Sequence, residues 1–320
     1  MKEAIATNSE VMAEYAAVRD GGVGLIDLSA RGRISVSGSE AVMFLNGLIT
    51  NDLKTLVENR WMPAAFPNVQ GRLLAAVRVL RRAEDILLDT EAVTREKVLK
   101  LIERFTLAGD FKVRDLTDDS AMICVQGGRA SELLERLTYP EITAIPATHT
   151  AEAGFDLIVD VDRKAGLWQS LVDAGATPVS EEVAEILRIE AGIARYGVDM
   201  DETNVVTETN LDDAVSFTKG CYLGQEIIIR IKHRGHVAKK LTGLRFETDR
   251  KIEPGAVIKS SDDKEIGRVT SSTFSPRLGM IVGLGYVRYE HLTPGTRVLV
   301  EGGGAETAEL PLVRGSWDRD

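Results

Sequence analysis

Two stretches of this chain repeat one another, and that repeat narrows the folds open to it more than any other feature. Ile34-Ser35-Val36-Ser37-Gly38-Ser39-Glu40-Ala41-Val42-Met43-Phe44-Leu45 is echoed by Ile123-Cys124-Val125-Gln126-Gly127-Gly128-Arg129-Ala130-Ser131-Glu132-Leu133-Leu134. In both, apolar alternation reads as a strand, glycine permits a sharp turn, and alanine and leucine-type positions then follow at helical spacing. Asp27-Leu28-Ser29 and Asp115-Leu116-Thr117 precede the two copies. The likeness continues in Asp85-Ile86-Leu87-Leu88-Asp89, with a helix through Val98 and Ile102, and in Asp156-Leu157-Ile158-Val159-Asp160, with a helix through Trp168 and Val172. A doubled strand-helix-hairpin-helix pattern predicts two similar α+β modules with adjoining sheets and a ligand site between them.

The flanking signals fill in this architecture. Arg72 to Leu80 and Asp85 to Asp89 read as paired strands entered through Asn68-Val69-Gln70-Gly71. A helix begins after Ser180, a good cap, with Glu181 and Glu182 suited to its positive end. Asn204 to Thr218 is polar and irregular, as expected for a long loop laid over a site. From Val237 the pattern changes to short strands and turns such as Glu253-Pro254-Gly255 and Thr293-Pro294-Gly295, predicting a small β-barrel in which Gly302-Gly303-Gly304 is a hairpin tip. The expected division is residues 1–236, in modules of about 22–110 and 111–236, followed by a barrel over 237–320.

Composition then excludes several classes. The chain has 320 residues, 44% hydrophobic and 28% charged, enough for two or three cores. No apolar run approaches a membrane span, and Met1 to Thr7 has no signal-peptide apolar region, so the expected location is the cytoplasm, with no membrane partner. Two cysteines, Cys124 and Cys221, permit neither a disulfide framework nor a self-contained four-thiolate cluster. A net charge of −10 argues against general nucleic-acid binding unless a basic patch offsets it. Lys219, Arg230, Lys232, Arg234, Lys239, Lys240 and Arg245 are the residues that could form one; a solvated helix face is the plain alternative.

The densest chemistry lies in Lys219-Gly220-Cys221-Tyr222-Leu223-Gly224-Gln225-Glu226, which runs into Ile227 to Gly235. Gly220 and Gly224 remove Cβ atoms that would keep backbone or ligand at a distance. Lys219, or the positive end of a following helix, would stabilise the Cys221 thiolate. A packing role is the alternative for any free cysteine, and it is the reading for Cys124, which falls in an apolar strand. Gly235 as a stop favours a short helix starting near Gly224. His233 and His236 sit at helical spacing, but no second cysteine or well-placed carboxylate completes a metal set beside Cys221, so no metal is assigned.

The string Lys-Gly-Cys-Tyr-x-Gly-Gln-Glu, followed by a basic segment ending Arg-Gly, resembles the signature of the YgfZ-type folate-binding proteins. These are relatives of the glycine-cleavage T-protein that assist iron-sulfur enzyme maturation. Arg188-Ile189-Glu190-Ala191-Gly192 and Tyr196-Gly197 resemble elements of the wider aminomethyltransferase superfamily, and the likeness runs from about Gly22 to Arg288. The resemblance implies tetrahydrofolate, or a one-carbon derivative, as cofactor. It implies that Glu190 pairs with the pterin's ring N–H and exocyclic amine, which one carboxylate can accept together, and that Tyr196 lines the same pocket. Gly220, Gly224 and Gln225 count among the cofactor-binding positions, and Arg230 would attract the folate's anionic tail. In catalytic roles the resemblance puts Cys221 as the reactive thiol and Lys219 as the group that lowers its pKa. One departure stands out: aligned through Asn68 and Gly71, the superfamily's catalytic aspartate falls at Ala75, with Ala76 beside it, and a methyl group can neither accept a proton nor stabilise a cation. The expected function is therefore a folate-binding factor in maturation or repair of iron-sulfur proteins, with such assembly or client proteins as partners. A folate-dependent aminomethyltransferase-like one-carbon transferase is the alternative, and an RNA-binding accessory protein is the third reading.

Overall fold

A computed structural model describes residues 8–104, 109–137, 139 and 142–317; the opening segment Met1 to Thr7 and the side chain of Arg234 lie outside the described set. Helix α1 (Ser9–Arg19) leads into strands β1 (Gly24–Asp27) and β2 (Gly32–Ser37), helix α2 (Ala41–Leu48), the pair β3 (Trp61–Pro67) and β4 (Leu73–Arg81), β5 (Ile86–Thr90) and helix α3 (Arg95–Glu103). The second pass repeats this as β6 (Lys112–Asp115), β7 (Ser120–Gln126), helix α4 (Ala130–Arg136), β8 (Thr143–Pro146), β9 (Gly154–Asp160), helix α5 (Lys164–Asp173) and β10 (Thr177–Pro178). Helices α6 (Glu181–Glu190) and α7 (Gln225–Arg234) follow, and then the strands β11 (Lys239–Phe246), β12 (Val257–Lys259), β13 (Glu265–Ser275), β14 (Met280–Arg288), β15 (Arg297–Val300) and β16 (Gly303–Ala308).

The expected α+β pair with a terminal barrel is what forms. One five-stranded sheet runs β3-β4-β5-β2-β6, the other β10-β1-β7-β9-β8, and β11-β14-β13-β12-β15-β16 closes into a barrel. The repeated strands are neighbours in each sheet, with Ile34 opposite Leu88 in one and Ile123 opposite Leu157 in the other. Strands β1 and β6, which lead into the two copies, are exchanged: Leu25 pairs with Val125 in the second sheet and Val113 with Val36 in the first. Each module thus contributes a strand to the other's sheet, β6 at an edge and β1 between β10 and β7.

Arg33 fastens that crossing. Its side chain is fully buried, and its guanidinium donates to the carbonyls of Ser29 and Arg31, just after β1, and of Thr117 and Ser120, just after β6. A buried guanidinium is tolerated there because its donors are satisfied. Apolar layers do the rest. Val11, Tyr15 and Val18 of α1 pack with Val183, Ile186 and Leu187 of α6 and with barrel residues such as Leu244 and Phe274 in one core, while each sheet has its own core under α2 and α3 or under α4 and α5. Leu80 and Leu87 of the first sheet meet Ile145 of the second where the modules join.

Local signals end the elements as expected. The Ser180 hydroxyl accepts from the Val183 N–H at the start of α6. Helix α7 begins after Gly224 and ends at Gly235, both with positive φ, +76° and +91°. Val300 pairs with Gly303, so the β15–β16 hairpin turns at Glu301-Gly302. No described helix is long and apolar enough to cross a membrane.

Candidate functional site

The residues singled out from the sequence do not converge on one place. Glu190 ends α6 with 0% exposure. Its two carboxylate oxygens accept from the Tyr15 hydroxyl (2.9 Å each), from Arg19 Nε and Nη2 (3.2 and 2.9 Å) and from the Ser275 hydroxyl of the barrel. Arg19 also pairs with Glu152 at 3.1 Å, and Glu152 accepts from the backbone and hydroxyl of Ser316. Protein donors fill both oxygens of Glu190, which joins α1, the second module and the barrel, so the expected pterin would have to displace them. Burial, reinforced by the charge of Glu190, holds the Tyr15 hydroxyl protonated far above its ordinary range.

Lys219 is likewise engaged within the protein. It is 8% exposed, and its ammonium donates to the carbonyls of Asn46 (2.7 Å), Ile49 (3.0 Å) and Asn51 (2.6 Å) and to Asn46 Oδ1 (3.1 Å). These are orphan carbonyls at and beyond the C-terminal end of α2, where a cation is favoured. Burial lowers its pKa to about 8, with Asp52 opposing. No hydrogen bond or ion pair connects it to Cys221 among the described residues; the ammonium holds the chain through these carbonyls.

Cys221 itself is exposed, on a loop held to the first module. The Leu223 N–H donates to the Gly47 carbonyl, and a Cβ on Gly224 would stand 2.3 Å from the Asn68 carbonyl oxygen, so only glycine lets α7 start against the Asn68–Gly71 turn. Gly220 contacts nothing within 4 Å of a built Cβ, and Gln225 reaches only the Gly220 carbonyl, at a long 3.5 Å. Arg230 is exposed on α7. The basic stretch around it is divided: Lys232 lies 3.5 Å over the Phe217 ring, Lys240 pairs with Asp212 and Arg245 with Glu306. Tyr196 is buried, donates to the Leu73 carbonyl at 3.3 Å and packs with Met200, Tyr222 and Ile228, which makes it a seam residue and not an open pocket wall.

A less open cavity lies elsewhere, where both modules meet the segment after α6. It measures about 300 Å³ and is lined by Arg31, Ala76, Arg78 and Glu91 of the first module, His149 of the second, and Ala194, Met200, Leu211 and Asp213 of the connecting segment. A more open cleft of about 640 Å³ runs between residues 197–204 and the barrel. None of the eight residues expected in the site lines either. In β4 the side chains alternate, so Ala75 points into the core opposite Phe66 while Ala76 faces the cavity. The carboxylate expected on this strand is missing at both positions.

The cavity wall continues into a charge network that the sequence did not disclose, whose carboxylates Asp89 and Asp156 are fully buried. Arg78 donates to Asp89 (2.7 Å) in its own sheet and to Asp156 (2.7 Å) in the other, and Arg31 pairs with Asp89 and Glu91. Burial alone would raise the pKa values of Asp89 and Asp156, but the arginines hold both below the usual carboxylate range, and His149 adds to this at Asp156. Cys124, buried beside Asp156, is pushed up by burial. Its sulfur and ligand atoms of His149 and Asp156 all lie within 4.8 Å of one another. The guanidinium of Arg78 already supplies the positive charge there. An opposed-arginine signal was available, since Arg78, Asp89 and Asp156 all fall within predicted strands, but pairing between the two copies is a long-range event.

Comparison with known proteins gives one consistent picture. Residues 5–219 match the GCVT N-terminal domain, and residues 239–313 the glycine cleavage T-protein C-terminal barrel domain. An aminomethyltransferase of Rubrobacter xylanophilus is 32% identical over 296 residues, covering 87% of this chain and 79% of that protein. One of Thermotoga neapolitana is 28% identical over 98% of this chain and 92% of that protein. The crystal structure of glycine cleavage system aminomethyltransferase T from Bartonella henselae shares the fold, with a TM-score of 0.89 at 23% identity over 96% of this chain and 90% of that one.

Proposed function

Since the chain belongs to the glycine cleavage T-protein family through both its N-terminal domain and its C-terminal barrel, we propose that it binds tetrahydrofolate, or a one-carbon derivative, in the cavity between its modules and transfers a one-carbon unit to or from it. The observation carrying this reading is the cavity: a partly open space of about 300 Å³ at the junction of both repeats, with small apolar walls at Ala76 and Ala194 and polar groups at Arg31, Glu91 and His149 along its edge. That combination suits a flat heteroaromatic ring bearing donors and acceptors. Relatives named aminomethyltransferase support transfer chemistry, while the alanines at 75 and 76 require the proton to be handled by a side chain other than a β4 carboxylate.

A second reading, a YgfZ-like tetrahydrofolate-binding factor that assists maturation or repair of iron-sulfur proteins, draws on a different observation. Cys221 is exposed on a loop whose backbone is braced by Lys219, Gly224 and the Asn68–Gly71 turn, as a thiol offered to a macromolecular partner would need to be.

One experiment separates the two. Anaerobic calorimetry with tetrahydrofolate is run beside an assay of amine release from an aminomethyl donor, on wild type and Cys221→Ser. Folate binding with amine release in both proteins is the expected result. Binding without release, together with loss of iron-sulfur enzyme activity in cells carrying only Cys221→Ser, would favour the second reading. Absence of binding up to millimolar folate would remove both.

A further inference from the structure

Resting on the folate reading above, the inference concerns how the cavity handles a proton without a carboxylate on β4. His149 is part of the cavity wall, its side chain 19% exposed. Its backbone N–H is anchored on Gln126 Oε1 at 2.9 Å. Its Nε2 stands 3.0 Å from Oδ1 of the fully buried Asp156, and Arg78 Nη1 lies 3.1 Å from the same Nε2 while donating to Asp156 Oδ2 at 2.7 Å. At Nε2 the Asp156 carboxylate can only accept and the Arg78 guanidinium can only donate, so the two contacts favour opposite tautomers; in the one paired with Asp156, with Arg78 directed to Asp156 Oδ2, a neutral ring keeps its lone pair on Nδ1. Among the described residues Nδ1 has no protein partner. One ring nitrogen is committed to an orienting carboxylate and the other is left unpaired in a cavity wall, which is the arrangement of an oriented general base.

Two other uses of this cluster fit less well. A metal ion held by Cys124, His149 and Asp156 would have to sit against the guanidinium already bonded to Asp156, and like charges in a buried space repel strongly. A purely structural ion pair is complete with Arg78, Asp89 and Asp156 and does not need an imidazole at the cavity surface.

We infer that His149 is the proton-transfer residue of the folate site. In the step assigned to it, the lone pair of a folate N–H nitrogen forms a bond to the methylene carbon of an aminomethyl donor. The bond from that carbon to the donor's heteroatom breaks, and its electron pair leaves with the donor. The proton lost by the folate nitrogen goes to His149 Nδ1, and the imidazolium returns it to the departing heteroatom. Asp156 and Arg78 face the ring, Cys124 lies behind it, and Glu91 and Asp213 border the cavity's remaining walls.

The test is imidazole ¹⁵N spectroscopy on the full chain, anaerobic, with and without saturating tetrahydrofolate; His149→Gln assigns the signal among four histidines. Expected is a ring with its proton on Nε2, whose Nδ1 resonance moves on folate addition while those of His233, His236 and His291 do not. His149→Gln should bind folate within about threefold of wild type yet lose amine release about 10²-fold or more. A free-state ring protonated on Nδ1, an Nδ1 signal indifferent to bound folate, or full activity in His149→Gln would each overturn the inference. Failure of the wild type to bind folate would instead remove the reading beneath it, and the inference with it.

Discussion

Glu190 and Cys221 stand in two short motifs of comparable specificity, and the fold treats them in opposite ways. Glu190 is sealed among Tyr15, Arg19 and Ser275, whereas Cys221 lies in the open on a loop that other residues hold still. A motif string says that residues are constrained and leaves open whether the constraint comes from a ligand or from the protein itself. Hydrogen-bond saturation makes the distinction: a carboxylate with every lone pair taken is part of the scaffold, while a thiol without a partner is available.

The sharpest way to break this contrast is Glu190→Ala. It would strand Tyr15 and Ser275 and leave Arg19 paired only with Glu152, a loss of about 3–5 kcal/mol for a buried pair deprived of one partner, read by urea unfolding. Under conditions where the variant remains folded, folate affinity should be close to wild type. Affinity lost in a folded variant would return Glu190 to the pterin.

Next in size are the braces of the cysteine loop. Gly224→Ala puts a Cβ 2.3 Å from the Asn68 carbonyl at φ +76°, costing about 2–3 kcal/mol from strain and displacement, with faster proteolysis near residues 219–224 as the readout. Lys219→Met removes the donor from three carbonyls and should cost about 1–3 kcal/mol. Its pH signature is distinctive. Burial sets the Lys219 pKa to about 8, against about 10.4 in the unfolded chain. Between those values the unfolded state binds the extra proton, so this lysine's contribution to stability rises with pH. Tyrosines held protonated in the fold, such as Tyr222 with a pKa pushed up to about 12 by burial, act in the opposite direction above pH 10. The difference between wild type and Lys219→Met from pH 8 to 10 isolates the lysine, and a flat difference would show that the carbonyl cage holds it charged throughout.

How much could be read beforehand follows the range of the forces involved. Ser180 capping α6, Gly224 and Gly235 bounding α7, and the strand-glycine-helix repeat are local, and each was visible in a few neighbouring residues. The exchange of β1 and β6 was not visible, because it depends on Arg33 gathering carbonyls from turns more than 80 residues apart in sequence. Nor was the saturation of Glu190, whose partner Tyr15 is 175 residues away, nor the meeting of Arg78, Asp156 and His149 across the module seam. Ala75 and Ala76 show the middle case. The missing carboxylate was legible, but which alanine faces the cavity required the register of β4 against β3.

The smallest expected effect is the most discriminating for the second region. Cys221→Ser replaces an exposed, unbonded sulfur, so stability should change by no more than about 0.5 kcal/mol and folate binding should be untouched. The Lys219 ammonium is occupied by the carbonyls of Asn46, Ile49 and Asn51. Alkylation of Cys221 should therefore follow the same pH–rate curve in Lys219→Met as in wild type. A curve displaced toward high pH in a folded Lys219→Met protein would mean that the ammonium reaches the thiol by charge across the loop, and the division between a closed scaffold and an open cysteine would have to be redrawn.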